Sequence, residues 1–357
     1  MKKGQKISVF PLCAGVLLLF SGYALAADRV VVIPLGGTVG NATAADVVKG
    51  KTFSSKAAGK GATGTLVLSP TAQTYTNSIG MTFNLVPAGT FTMGSSDGTG
   101  SDPAEPGRWT DETQHQVTLT QSFYMQTTEV TQKQWQDVIG NNPAASNIGD
   151  NYPIETVNWF EAAYFANALS ANEGRSACYT LTGCSPIPGN DMECTGVTIN
   201  PGCTGYRLPT EAQWEYAARA TTTTAWAYAV NYDTSADPGQ ITGDGFNSNL
   251  DAMGWYSFNK TIQYGDGTKP VARKQANKWG LYDMAGNVWE WCQDWYGDYL
   301  NNHVSDPTGT QSGTNRVLRG GSCYGNAMDA RSAVRGWNTP GFRDYYLGFR
   351  LVLHTGQ

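Results

Sequence analysis

The sequence predicts a mixed α+β domain that is rich in ordered loops and has few, short helices. Signals for helix starts occur at three separate places, and short segments of strand-forming residues lie before and after them. The 42 glycines and 11 tryptophans among 357 residues indicate turns that are held by aromatic packing, since few long apolar periodic runs are present.

The helices are predicted from their capping residues. Thr131, Asn158 and Thr210 each stand three positions before a Gln or Glu, so side chain and backbone can satisfy each other's unpaired groups. After Asn158 the residues Phe160, Ala163, Tyr164 and Ala168 roughly follow helical spacing, which predicts one buried face. The predicted strands lie at residues 83–87, 116–120 and 347–353.

The first residues predict export. A basic start (Lys2, Lys3, Lys6) is followed by an apolar run at 9–20 and by Ala24-Leu25-Ala26, a pattern that signal peptidases cleave. Residues 1–26 are therefore interpreted as a signal peptide of a periplasmic, secreted or cell-surface protein. An uncleaved N-terminal anchor is the alternative.

Two further segments follow. Residues 27–76 open with a β-like run and continue in Gly, Ala, Lys, Thr and Ser, which is typical of a small β-rich module or spacer. Residues 77–357 form the main domain. The net charge of −5 argues against a nucleic-acid partner, and no later segment resembles a membrane span.

Six cysteines follow the predicted cleavage point. Four of them, Cys178, Cys184, Cys194 and Cys203, fall in one Gly/Pro/Thr-rich stretch. We expect two disulfides here, with the pairing open, because such a stretch suits an oxidising compartment. A metal site is a weaker interpretation, since no Cys-x-x-Cys pair is present. Cys292 and Cys323 lie outside this stretch and are not assigned to either disulfide.

Several motifs occur in one order along the main domain. They are Met93-Gly94, TEVT (128–131), VNW (157–159), RLPTEAQWE (207–215), GLYDMAGNVWEW (280–291), RGGS (319–322) and LGFR (347–350). Together they resemble the formylglycine-generating-enzyme (sulfatase-modifying factor) superfamily over residues 79–353. The resemblance implies a loop-rich variant of the C-type lectin fold, stabilised by aromatic residues and calcium.

The resemblance also implies where an oxidase would bind copper. Enzymes of this family use two cysteines shortly after the Gly-Gly-Ser turn, and soft thiolates suit Cu(I). By the family's spacing those positions fall on Gly325 and Ala330, or on Ala327 when counted from the following Asn-Thr-Pro. Cys323 stands close by but alone. We therefore expect no copper and no copper-dependent oxidase activity.

Calcium is the cofactor that the resemblance supports. It assigns the side chains of Asp283 and Glu290 and the backbone carbonyls of Gly286 and Val288 as ligands. Carboxylate and carbonyl oxygens on a short glycine-containing turn suit a hard cation of flexible geometry. The alternative is an empty turn in which Glu290 hydrogen-bonds local amides.

The segment at 316–353 mixes two kinds of position. Between scaffold-like residues stand Tyr324, Gly325, Asn326, Asp329, Val334, Gly336, Phe342, Asp344, Tyr345 and Tyr346. This arrangement resembles the variable proteins of diversity-generating retroelements, in which adenine-directed mutagenesis randomises Asn-type (AAC) codons. Every residue in the mixed set is reachable from such a codon, whereas Trp337 is not.

Single residues outside this set are assigned structural roles. The tryptophans at 135, 159, 214, 289 and 291 are expected in the core. Arg331, Arg335 and Arg350 are expected to hold loops through carboxylate or carbonyl contacts. His115 is expected at the surface, near the start of a strand.

The composition of the mixed set favours recognition. Tyrosine gives contact area with few rotors, while Asn, Asp and Gly give adaptable polar contacts. The predicted function is an exported ligand-binding protein whose partner is an unknown protein or surface ligand. The alternatives are an oxidoreductase of the formylglycine-generating type with an atypical site, an enzyme remnant whose loops are ordinary surface, and a structural component that assembles through residues 27–76.

Overall fold

The computed structural model describes residues 74–227, 246–261, 265–300 and 302–355, together with four short strands between residues 17 and 64. The chain divides into two units, Met1–Thr71 and Ala72–Gln357. Over the described residues, every helix is too short or too polar to cross a bilayer.

The smaller unit contains two antiparallel strand pairs. β1 (Leu17–Leu19) pairs with β2 (Val31–Ile33), and β3 (Phe53–Ser55) pairs with β4 (Ala62–Gly64). The other residues of the predicted signal peptide, and most of the predicted module, lie outside the described residues. Both assignments stay predictions.

The first sheet of the larger unit has five antiparallel strands in the order β12-β18-β9-β6-β5. Their bounds are β5 Thr74–Thr76, β6 Thr82–Val86, β9 Phe123–Gln126, β12 Tyr206–Arg207 and β18 Val352–His354. β6 confirms the strand predicted at 83–87 within one residue. Because β5 pairs with β6, the larger unit begins before residue 77.

The second sheet has the order β16-β15-β13-β17, and its last pair is parallel. Its strands are β13 Trp289–Trp295, β15 Arg316–Arg319, β16 Gly336–Asn338 and β17 Leu347–Gly348. It therefore joins the GLYDMAGNVWEW motif to three parts of the C-terminal segment.

The single strand predicted at 347–353 is wrong. Leu347 and Gly348 pair with β13, whereas Val352–His354 pairs with β9 and β12. Between them, the carbonyls of Phe349 and Leu351 accept N–H groups from Val130 and Gln126. The chain thus passes from one sheet to the other, which a run that is apolar except for Arg350 does not reveal.

A third sheet has the order β14-β8-β7, formed by β7 Gly89–Met93, β8 His115–Leu119 and β14 Val304–Ser305. β8 confirms the strand predicted at 116–120 within one residue. The surface position expected for His115 is wrong, because its side chain is buried and its ring lies 4.7 Å from that of Tyr299.

All three predicted helices are present and begin after their predicted caps. They are α1 Gln132–Ile139, α2 Trp159–Asn172 and α3 Glu211–Arg219, each with a reciprocal capping box. A fourth helix, α4 Ser248–Met253, and a 3₁₀ helix at Ala327–Ala330 were not predicted. In α2, Ala163 is buried, but Phe160 is half-buried and Tyr164 is exposed, so the predicted buried face holds only in part.

The core contains the predicted tryptophans. Trp135, Trp159, Trp214 and Trp291 have no exposed surface, and Trp289 is partly buried. The indole N–H groups of Trp159 and Trp291 donate to the carbonyls of Cys292 and Val157, at 2.8 and 3.1 Å. These bonds tie α2 to β13 and satisfy polar groups that would be costly to bury unpaired.

The predicted pair of disulfides is confirmed. Cys178 is bonded to Cys203, and Cys184 to Cys194. Both bonds close a hairpin of β10 (Tyr179–Thr182) and β11 (Gly196–Ile199). Two such bonds are typical of a protein that matures in an oxidising compartment.

The arginines expected to hold loops do so. Arg331 makes two bonds to Glu112, at 2.7 and 2.9 Å, and one to Glu105 at 2.7 Å. Arg350 makes two bonds to Glu290, at 2.6 and 2.7 Å. Both guanidinium groups are fully buried.

Two further arginines bind the acidic residues of α3. Arg335 makes two bonds to Glu211, at 2.7 and 3.0 Å, and Arg319 is paired with Glu215. Losing one partner of a buried pair leaves an uncompensated charge. These contacts therefore fix the path of the C-terminal segment and position its loops.

Candidate ligand-binding site

The site begins at the turn that follows β15. Gly320 and Gly321 have φ angles of +97° and +72°, which favour glycine. A Cβ on Gly321 would lie 2.7 Å from the carbonyl oxygen of Asp329. The turn therefore requires glycine there, and it leads the chain directly to Tyr324.

The 3₁₀ helix at Ala327–Ala330 shapes the next part of the site. The N–H of Asn326 donates to Asp329 Oδ2 at 2.9 Å, and Gly325 lies close to the same carboxylate. Asn326, Asp329 and Gly325 are partly exposed. Asp329 thus stabilises the local turn while part of its side chain remains accessible.

Three tyrosines from two turns meet in one cluster. The ring of Tyr324 lies 4.9 Å from that of Tyr345 and 6.5 Å from that of Tyr346, and the last two rings are 5.2 Å apart. Tyr345 is 43% exposed, and the other two are half-buried. Tyr324, Asp344, Tyr345 and Tyr346 are called the tyrosine surface below.

Asp344 organises the second of these turns. Its carboxylate accepts the N–H of Tyr345 at 2.8 Å, and its carbonyl accepts the N–H of Thr156 at 2.9 Å. Burial raises the pKa of Tyr346 to about 12, and the hydrogen bond to Asp344 adds to the shift. The phenol of Tyr346 is therefore a neutral group at physiological pH.

Residues from other segments border the tyrosine surface and were missed by the sequence. The ammonium of Lys260 lies 4.3 Å from the ring centre of Tyr324 and 3.3 Å from Asp266. The hydroxyl groups of Tyr324 and Ser146 both lie beside Gly267. These residues carry no motif, and only the fold brings them to Tyr324.

The ten predicted ligand-binding residues do not form one surface. Val334 is 3% exposed, and its carbonyl accepts from Arg319 at 2.6 Å, so its side chain is part of the support. Gly336 lies on β16 against Trp289, where a Cβ would come within 3.0 Å of the ring. Phe342 is half-buried and packs against the core next to the tyrosine surface.

The two cysteines outside the disulfides are buried. Cys292 and Cys323 have no exposed surface and form no disulfide. Burial raises the pKa of both thiols, that of Cys323 to about 12. Acidic residues including Asp294 surround Cys292, whereas Lys269 lies near Cys323.

The predicted calcium ligands are only partly available. Both oxygens of Glu290 are engaged, by Arg350 and by the indole N–H of Trp214, which corrects its assignment as a ligand. Asp283 Oδ1 and both oxygens of Glu129 are buried without a hydrogen-bond partner.

Burial raises the pKa of Asp283 to about 6 and that of Glu129 well above its usual range. Buried oxygens of this kind suit a proton or a hard cation. Over the described residues, no three side chains of His, Cys, Asp or Glu are grouped to hold a metal. Backbone carbonyls would have to complete any calcium site.

Comparison with known proteins agrees with this geometry. Residues 70–355 match the family model "Sulfatase-modifying factor enzyme 1-like domain". The chain is 35% identical to the chaperone protein LppX of Paenibacillus barcinonensis over 225 residues, 62% of this chain and 75% of that protein. It is 38% identical to the formylglycine-generating enzyme of Streptomyces coelicolor, over 42% of this chain and 46% of the enzyme. The match thus spans less than half of that enzyme.

A solved structure is also similar. Treponema denticola variable protein 1 superposes with a TM-score of 0.62 at 31% identity, covering 80% of this chain and 99% of that one. The expected fold, a lectin-like α+β domain of the formylglycine-generating type, is confirmed. The chain belongs to the sulfatase-modifying factor enzyme 1-like domain family, and its domain is of the kind found in that variable protein.

Proposed function

We propose that the protein is an exported ligand-binding protein whose lectin-like domain presents a diversified surface on residues 316–353. One observation carries the proposal: tyrosine rings from two turns meet at a partly exposed surface, beside a framework that buried ion pairs hold. Rigid scaffolds that position variable loops are a common way to place binding on a fold.

The chemistry of the tyrosine surface suits a protein or another surface molecule as ligand. Tyrosine rings give large contact area at low entropic cost, and the neighbouring Asp344, Asp329 and Asn326 offer polar contacts. The similarity to Treponema denticola variable protein 1 supports the same interpretation. Val334 and Gly336 are left out of the contact surface because Val334 is buried and Gly336 packs against Trp289.

The coding DNA tests the diversification. We expect a near-copy of the 3′ coding end beside a reverse transcriptase gene, with differences confined to positions where the copy has adenine. The changed codons should include 324, 329, 344, 345 and 346 and should spare those of Arg331 and Arg350. Differences spread evenly over both groups would contradict the proposal.

The binding test needs a ligand, so peptides that bind the full chain are first selected from a displayed library. The affinity of the protein for these peptides is then measured. A variant with Ser at Tyr324, Tyr345 and Tyr346 should lose at least about tenfold in affinity for those peptides, a loss of about 1.4 kcal/mol. Trp109→Ser is the matched control, since Trp109 is exposed elsewhere. Unchanged affinity in the triple variant would overturn the proposed surface.

The alternative is an oxidoreductase of the formylglycine-generating type. Its support is the sequence identity to the Streptomyces enzyme. The absence of sulfur at positions 325, 327 and 330 argues against it. Copper-dependent oxidation of a cysteine peptide, lost in Cys323→Ser, would favour it over the ligand-binding proposal.

We also propose that calcium, when bound, is held by Asp283 with the carbonyls of Gly286 and Val288, and by Glu129 instead of Glu290. The support is the unpaired oxygens of Glu129 and Asp283. Calcium would supply the positive charge that these buried carboxylates lack.

A further inference from the structure

A cavity of about 390 Å³ lies where the end of β13, the start of α3, residues 297–300 and the segment 304–311 with β14 meet. None of its lining residues belongs to the tyrosine surface. Its walls are largely apolar and include Met93, Ala212, Trp295, Leu300, Val304 and Pro307. Both its size and its lining are typical of small-molecule sites.

The buried charges on the cavity wall are already paired, and the remaining one, the carboxylate of Asp298, is exposed. Glu211 accepts two bonds from Arg335, at 2.7 and 3.0 Å, and a third from the hydroxyl of Tyr299 at 2.8 Å. The guanidinium of Arg335 also lies 3.8 Å from the ring centre of Tyr299. A charged ligand inside the cavity would therefore be desolvated without a free buried partner of opposite charge.

Two buried polar groups of the cavity wall can serve a neutral ligand. Asp294 Oδ2 accepts the N–H of Glu211 at 3.1 Å. Burial, and next the charge of Glu211, raise the pKa of Asp294 to about 8, although Arg316 and Arg207 oppose the shift. At neutral pH its carboxyl group is therefore mostly protonated and can donate a hydrogen bond.

The second polar group is His115. Its Nδ1 lies 2.9 Å from the carbonyl oxygen of Thr113, so in the neutral ring Nδ1 carries the proton and donates there. Nε2 is then the acceptor of the ring. The cavity thus combines an apolar body with one buried donor and one buried acceptor, while Asp298, Thr310 and Gln311 line it as exposed residues.

We propose that this cavity binds a small uncharged molecule with an apolar, ring-containing body and a hydroxyl or amide group that pairs with Asp294 and His115. The site is separate from the proposed recognition surface and does not depend on it.

Two fluorescent probes with the same ring systems test the charge requirement on the full chain. N-phenyl-1-naphthylamine is uncharged, and 8-anilinonaphthalene-1-sulfonate adds a sulfonate. We expect the uncharged probe to bind saturably at one site, with a rise in fluorescence, and the sulfonate to bind at least about tenfold more weakly.

Two neighbouring substitutions on β14 test the location. Val304→Trp fills the cavity and should weaken binding of the uncharged probe at least about tenfold. Ser305→Trp is the matched control, because successive side chains on a strand point to opposite faces and Ser305 is exposed. Melting curves establish that both variants are folded.

Three results would overturn the proposal: equal affinity for the two probes, no saturable binding of the uncharged probe, or binding that a folded Val304→Trp variant retains. Tyr345→Ser separates the two sites. It should leave probe binding unchanged, and a loss there would place the probe on the tyrosine surface instead.

Discussion

Within the C-terminal segment, the arginine positions and the tyrosine positions use different kinds of contact. Arg331 and Arg350 are fully buried and each makes at least two bonds to a buried carboxylate. Tyr324 and Tyr345 touch each other through ring edges at a partly exposed surface. The first set fixes the backbone, and we expect the second to change without altering it. On the proposed function, this contrast would separate folding from recognition within one short stretch of chain.

The largest effect is expected at the framework. Arg331→Met leaves the carboxylates of Glu112 and Glu105 without their partner and should lower the free energy of unfolding by about 3–5 kcal/mol. Urea denaturation measures the loss. Arg331→Lys keeps the charge but not the two-pronged geometry, so it should fall between wild type and Arg331→Met. If Arg331→Met lowers the free energy of unfolding by less than about 1 kcal/mol, the arginine positions do not differ from the tyrosine positions in their effect on stability.

Calcium should act on the framework and not on the tyrosine surface. At about 100 times its dissociation constant, calcium should raise the free energy of unfolding by about 2.7 kcal/mol, since it neutralises Glu129 and Asp283 in the folded state. Asp283→Asn should abolish the gain, whereas Tyr345→Ser should retain it. Melting temperatures that calcium leaves unchanged would refute the proposed site.

The pH dependence of Asp294 gives an intermediate effect. Its pKa in the folded state is about 8, above the usual value of 3.8, so the folded chain keeps a proton that the unfolded chain releases. This group therefore lowers stability as pH rises from about 4 to about 8. Relative to wild type, the free energy of unfolding of Asp294→Asn should rise by more than about 1.4 kcal/mol between the lower and the upper end of that window. Asp298→Asn, which changes an exposed carboxylate nearby, is the control. If the free energy of unfolding of Asp294→Asn follows that of wild type at every pH in the window, the assignment to Asp294 is wrong.

The smallest effect on stability is expected at the tyrosine surface. Tyr345→Ser removes two ring contacts from a side chain that is 43% exposed and should cost less than about 1 kcal/mol. Urea denaturation of Tyr345→Ser and Arg331→Met under the same conditions shows which variant loses more free energy of unfolding. A cost equal to that of the arginine variant would mean that Tyr345 supports the fold.

Local signals in the sequence predicted local structure well. The caps at Thr131, Asn158 and Thr210 act within one helical turn, and each helix begins where its cap indicates. The paired cysteines lie within one hairpin, so their spacing was sufficient to predict two disulfides. The family motifs predicted the fold class for a different reason. Several independent motifs occur in the order that the family has along the chain.

Contacts between distant segments were not predictable from spacing. The run at 347–353 is apolar except for Arg350, yet its two ends pair in different sheets. Val334 has the character of its variable neighbours but faces the core, and Lys260 reaches Tyr324 only through the fold. In each case the deciding partner lies far away in the chain, where periodicity carries no information.

The position of β18 has a consequence for errors in gene copying. This last strand lies inside the five-stranded sheet, between β9 and β12, and it follows the tyrosine surface in the chain. A lost reading frame anywhere upstream in the segment would leave a gap between those two strands and expose their unpaired backbone groups. If the segment is diversified as we propose, frameshifted copies would therefore fail to fold, and only in-frame variants could bind a ligand.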